Sequence, residues 1–372
     1  MTEPRSGPPK GGGASGPASL FDPGTMLRMA GIGVVMTGVV AAFAWSAGWL
    51  SPHRLTQARM MEALAAVDGV HPGFRRNHAK GVCVAGWFES RGQAMPLSKA
   101  AVFRPGRSMV VGRFALAGGM PFQADAPAKV RSMALRITPP DGAEWRMGIN
   151  DIPVFVARTA REFRDLLLAT RPDPATGKPD PARVGPFLAG HPEVARALAL
   201  VGARPVSSGF GDDTYRSLDT FRFVSADGVS TPVRWNMVPL QQVVPAGAGT
   251  GQDYLFDDLL TALGRHPLSW RLMVTIGAPS DPTADPTLPW PADRRQVEAG
   301  TLTLDVAESE DGGPCTGITY DPLVLPPGIV PSDDPIPAAR SAAYMRSFTL
   351  RAGEVKLPSA ITPAMIAAKD RP

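Results

Sequence analysis

Two short stretches hold side chains able to do acid–base and metal chemistry. In Arg75-Arg76-Asn77-His78-Ala79-Lys80-Gly81, His78 is one of only five histidines in the chain and stands between a basic pair and Lys-Gly. An imidazole flanked by cations is suited to act as a general base over a bound anionic ligand. Far along the chain, Arg340 and Tyr344 are four residues apart and so share one face of a helix. A guanidinium held against a phenol favours the phenolate. A phenolate is a hard anionic ligand for ferric iron. Taken singly, each feature also fits a plainer role: His78 as a satisfied core or surface histidine, Arg340 and Tyr344 as a packing pair.

The elements that must position these groups can be read from the pattern around them. The apolar run at 82–88, directly after His78, reads as a strand. Residues 54–66 before it make an amphipathic helix, ended by Gly69 and the His71-Pro72-Gly73 turn. Further strands are expected at 99–103, 109–116, 130–137, 144–147 and 154–157, then a helix at 159–169. Five prolines between 171 and 186 argue for a loop there. Helices follow at 192–200 and 253–266, a hairpin pairs 220–224 with 231–238, and strands run at 270–277 and 300–307. Ser332-Asp333-Asp334-Pro335 opens the helix that carries Arg340 and Tyr344. Strands enclosing a core, with helices in the connections, give an α+β antiparallel β-barrel.

Ahead of the barrel, residues 1–24 are rich in Pro, Gly and Ser and are expected to be a disordered tail. Residues 29–50 carry no charge. At about 1.5 Å per residue they reach roughly 33 Å, enough for one N-terminal transmembrane helix. Trp45 and Trp49 sit near one end, where an aromatic belt belongs. The expected division is therefore a tail at 1–24, an anchor at 25–50 and one large domain at 51–372. The expected placement is single-pass in the cell inner membrane, with the large domain periplasmic. A net charge of +4 without a dense basic run excludes nucleic acid as the evident partner. Cys83 and Cys315 are too few for a disulfide framework and form no CxxC pair. An oxidising compartment allows them to join, and Cys83 in its strand equally suits a small buried hydrophobe.

Taken in order, these segments resemble the core of the haem catalases across residues 54–351. The stretch Arg75 to Gly81 with Gly86-Trp87-Phe88 is similar to the motif on the distal side of the haem. Gly112-Arg113-Phe114 is similar to a strand carrying a propionate-binding arginine. Asn150-Asp151-Ile152-Pro153-Val154-Phe155 and the run from Asp321-Pro322 to Tyr344 resemble further family segments. The match is closest to the small catalase-related peroxidases. The resemblance implies haem b as cofactor, Tyr344 as the iron ligand and Arg340 as its partner. It implies His78 and Asn150 as catalytic residues, Arg75, Arg113 and Arg351 as propionate contacts, and Phe155 and Phe163 as pocket walls. The implied reaction is reduction of hydrogen peroxide or organic peroxides.

The differences from the large catalases carry their own expectations. Only 28 residues follow Tyr344, so the C-terminal helical domain and its dinucleotide site are expected to be absent. Ala115 stands where the family has a distal serine, Asn77 where an apolar residue is usual, and Met345 where a proline follows the tyrosine. A more polar distal pocket is expected at Asn77. These changes imply a peroxidase that oxidises a small organic reductant, with weak or no catalase activity; a homo-oligomer is a candidate state. A membrane-anchored haem-binding or sensing module without efficient turnover would use the same residues.

Overall fold

The computed structural model describes residues 7, 23–46, 49–50, 55–126, 129–247 and 249–369. Most of the expected tail at 1–24 lies outside these residues. The chain divides into two compact units, Met1–Thr56 and Gln57–Pro372. In the first, helix α1 (Pro23–Ser46) runs for 24 residues, has a mean hydropathy of 1.8 over its most apolar window and buries no side chain. Its length and composition suit a membrane span or a signal sequence. It begins earlier than the expected anchor because Pro23 fits a first helical turn, where no backbone N–H is needed.

The second unit contains helix α2 (Gln57–Asp68), then strands β1 (Gly81–Ser90), β2 (Gly106–Leu116), β3 (Arg131–Thr138) and β4 (Trp145–Asn150). Helices α3 (Ala160–Thr170), α4 (Pro181–Gly190) and α5 (Pro192–Gly202) follow. Next come β5 (Tyr215–Arg216), β6 (Phe221–Val224), β7 (Ser230–Pro239), α6 (Tyr254–Leu263), β8 (Leu268–Ile276) and β9 (Gln296–Glu308). The chain ends with β10 (Ile329–Pro331), α7 (Ile336–Ala352) and α8 (Pro363–Lys369).

All the pairings are antiparallel. The β7–β8 pairing closes the ring β7-β5-β4-β3-β2-β1-β9-β8 into an eight-strand barrel, and β6 and β10 extend it beside β7. Period-two alternation fills the inside with Phe114, Met133, Ile149 and Trp270, all essentially without exposure. The opposite face of β2, β3 and β4 presents Arg113 and Ala115, Ser132 and Ala134, Gly148 and Asn150. Register aligns these as two rows: Ala115 opposite Ser132 opposite Asn150, and Arg113 opposite Ala134 opposite Gly148. That outer face is the wall on which the candidate site is built.

Three expected elements differ. Residues 99–103 form no strand; Ala101–Phe103 is a 3₁₀ turn that buries Val102 and Phe103 by folding back, with Phe103 N–H bonded to the Ala100 carbonyl. Residues 154–157 are irregular, and Phe155 N–H donates to the Pro286 carbonyl instead of a ladder. The proline-rich stretch contains the start of α4, because Asp180 caps Ala182 N–H and Pro181 occupies the first turn, leaving only Pro186 as an internal interruption.

Cys83 and Cys315 form a disulfide, with their Cα atoms 5.4 Å apart and a sequence separation of 232. It fastens the loop after β9 to the outer face of β1, and Cys315 N–H also donates to Cys83 Sγ. Replacing both cysteines by alanine is expected to lower unfolding stability by about 2–5 kcal/mol. A denaturant midpoint unmoved by the replacement would show that the loop holds its place without the bond.

Candidate active site

A cavity of about 1230 Å³, open space at its mouth included, lies between the outer face of β2–β4 and helices α2, α3 and α7. His78, Asn150, Arg75, Arg113, Phe155, Phe163, Arg340, Tyr344 and Arg351 all line it. Segments at opposite ends of the chain therefore meet around one space.

At one side stands α7, whose approach is set by buried carboxylates. Asp334 accepts the N–H groups of Ile336 and Thr220, which ties the helix start to the loop before β6. Burial, then the neighbouring Asp219, pushes the Asp334 carboxyl up to about 7. One and two turns into the helix come Arg340 and Tyr344. Arg340 Nη1 donates to Asp219 Oδ2 at 2.6 Å, and Nη2 donates to the Gly148 carbonyl at 2.6 Å and to Tyr344 Oη at 3.1 Å. Burial opposes the guanidinium charge, but Tyr344 and Asp219 outweigh it and hold the pKa above its ordinary value. Gly148 is what permits this approach: a Cβ there would lie 3.0 Å from Arg340 Nη2 and 3.2 Å from Tyr344 Oη.

His78 sits in the turn that leads into β1, with φ of 55°, a left-handed conformation uncommon for a residue with a side chain. Asn77 holds that turn. Its Oδ1 accepts the N–H groups of His78 and Gly118, each at 2.9 Å. The expectation that Asn77 makes the pocket more polar is thereby modified: its carbonyl oxygen is engaged by backbone. Burial, then the charges of Arg113 and Arg340, lowers the His78 pKa to about 3, with only the Leu116 backbone acting the other way among the main influences. Among the described residues, no hydrogen bond of normal geometry reaches His78 Nδ1.

Three guanidinium groups line another side. Arg113 pairs with Glu310 through two hydrogen bonds of 2.7 and 2.9 Å. Gly81 makes room for it, since a Cβ there would lie 2.4 Å from Arg113 Cζ. Arg75 Nη2 donates to the carbonyls of Cys315 and Ile318, both at 3.1 Å, and Arg351 Nη1 donates to the Thr316 carbonyl at 2.8 Å. The disulfide-fastened loop thus orients two of the three arginines. Burial, then Arg113 and Arg351, lowers the Arg75 pKa to about 9. Burial also opposes the charge of Glu310, but Arg113 and Arg75 prevail and its pKa is lowered. Phe155 meets Phe163 of α3 with ring centroids 5.3 Å apart.

Sequence reasoning did not single out Asp219, Glu310 or Ser132. Asp219 and Glu310 follow no motif; only the fold brings them to Arg340 and Arg113. Ser132 was inside an expected strand, and its significance depends on the register that sets it opposite Asn150. Met345, next to Tyr344, faces outward and is 52% exposed.

The family model described as Catalase matches residues 42–359. The chain is 33% identical over 330 residues to the catalase-related peroxidase of Synechococcus elongatus, covering 86% of this chain and 96% of that protein. It is 33% identical over 306 residues to the catalase-related peroxidase of Mycolicibacterium paratuberculosis, covering 80% and 96%. Among solved structures, a fungal catalase superposes with a TM-score of 0.68 at 20% identity, over 75% of this chain and 60% of that one. The chain belongs to the catalase family. It is an enzyme acting on peroxide, of the catalase-related peroxidase kind, and the family implies a haem-type cofactor.

The cavity suits such a group. Arg75, Arg113 and Arg351 gather about Glu310, and among the described residues Arg75 Nε and Arg351 Nη2 are buried with no hydrogen-bond partner. This excess of positive charge calls for an anionic ligand such as a pair of carboxylates. Substituting Asn77 by alanine leaves two backbone N–H groups without an acceptor and is expected to cost about 1–3 kcal/mol. Hydrogen exchange checks it: the His78 and Gly118 amides should exchange faster than in the parent, and unchanged protection would contradict the assignment.

Proposed function

We propose that this protein is a haem b peroxidase that reduces hydrogen peroxide or organic peroxides at the expense of a small organic donor, with weak or no catalase activity. The observation that carries the proposal is the convergence of His78, Asn150 and the Arg340–Tyr344 pair on one cavity. Tyr344 would ligate the iron through its phenolic oxygen, which Arg340 Nη2 holds in place. Arg75, Arg113 and Arg351 would bind the propionates by charge-assisted hydrogen bonds. Bound there, haem supplies the redox-active iron at which the peroxide oxygen–oxygen bond is broken.

The protein's own groups manage the protons. His78 is neutral at physiological pH, so a ring nitrogen is free to take a proton from the incoming peroxide and return it to the departing oxygen. Asn150 donates through its amide to the oxygen on which charge develops. Phe155 and Phe163, their rings in contact, wall part of the same cavity. Ala115 offers no hydroxyl to the histidine, which supports donor oxidation over fast dismutation.

The division into a tail at 1–24, an anchor at 25–50 and a haem domain at 51–372 belongs to the same reading. The apolar α1 supports attachment to the inner membrane. The Cys83–Cys315 disulfide supports a haem domain facing an oxidising compartment, the periplasm.

The test uses the full chain in detergent, supplied with haem. A Soret band is expected, with peroxide-dependent oxidation of a phenolic donor faster than oxygen release. His78→Ala should lower donor oxidation by about 100-fold or more. The rate should hold as pH falls from 7 to 5, because His78 keeps its base form until about pH 3. Oxygen release outpacing donor oxidation, or an unaffected His78→Ala variant, would overturn the proposal. A band with no donor oxidation would favour a haem-binding or sensing module.

A further inference from the structure

The hydroxyl in the row Ala115, Ser132, Asn150 belongs to the central residue, on β3. Ser132 is 7% exposed, and its Oγ lies 2.6 Å from Asn150 Oδ1 and 3.1 Å from the Ile149 carbonyl. A serine hydroxyl has one proton to give. A separation of 2.6 Å is normal for O–H···O and short for N–H···O, which starts near about 2.7 Å. The contact therefore runs from the serine hydroxyl to an amide oxygen. The opposite assignment, an amide N–H donating to the serine oxygen, fits the distance poorly.

This contact has a directional consequence. With Oδ1 turned to Ser132, the amide places Nδ2 on the other branch. Asn150 lines the cavity, and among the described residues Nδ2 has no protein partner. Ala115, the neighbour of Ser132 on β2, has only a methyl group and cannot compete for the hydroxyl proton.

We propose that Ser132 is a positioning residue that locks the Asn150 side-chain amide with its N–H donors toward the cavity. Without the hydroxyl, the amide loses the bond that distinguishes its two ends, and in the flipped state it shows an acceptor to the ligand. The pocket would then disfavour an oxygen or anion bearing lone pairs. Ser132 thus selects for small ligands that accept a hydrogen bond, acting through Asn150. The inference rests on reading Asn150 as a donor beside a bound haem.

Equilibrium binding of cyanide, followed by the Soret shift, tests it on the haem-loaded ferric full chain in detergent. Ser132→Ala should weaken cyanide binding about three- to tenfold. Asn150→Ala should weaken it at least as much, and the double variant should match Asn150→Ala alone. Ser132→Thr, which keeps a hydroxyl and suits a strand, should bind within about twofold of the parent. Unchanged affinity in Ser132→Ala, beside a weakened Asn150→Ala, would overturn the inference while leaving the haem reading intact. So would an equal loss from Ser132→Ala in the presence and absence of Asn150. A chain that takes up no haem would overturn both.

Discussion

The structure turns on one half-buried guanidinium. Arg340 is held between the Asp219 carboxylate, the Gly148 carbonyl and the Tyr344 phenol. A charge taken out of water is tolerated only where it is paired and its donors are used. Asp219 is itself fully buried, so neither partner can be lost without stranding the other. The three contacts come from a loop between β5 and β6, from the outer face of β4, and from one turn further along α7. Satisfying Arg340 therefore fixes α7 against the barrel, and that fixes where the tyrosine oxygen stands.

The opposite side of the cavity is organised by charge of the same sign. Arg75, Arg113 and Arg351 crowd about Glu310, and two of them are aimed by carbonyls of the loop that the disulfide fastens to β1. Such a cluster of cations suits an anionic cofactor. Burial does most to lower the His78 pKa, and Arg113 and Arg75 of this cluster add to it. The left-handed turn at His78 is the other strained point, and Asn77 stabilises it through two backbone N–H groups.

Much of this was legible in the sequence, because it is local. The strand after His78 follows from a continuous apolar run, and the shared face of Arg340 and Tyr344 follows from helical spacing. The barrel follows from many short strands with turn residues between them. What was not legible depends on pairings that spacing does not encode. Ser132 acquires meaning only from the register that sets it between Ala115 and Asn150. Asp219 and Glu310 look like any acidic residue until the fold brings Arg340 and Arg113 to them. The turn at Ala101–Phe103 was misread as a strand because buried apolar residues look alike whether they extend or fold back.

The central claim is that Tyr344, its oxygen held by Arg340, would be the protein ligand of a haem iron. Resonance Raman spectroscopy of the haem-loaded ferric protein tests it most directly. The account predicts iron–phenolate bands that vanish in Tyr344→Phe and persist in His78→Ala. Bands that survive in Tyr344→Phe, or that never appear in the parent, would contradict it.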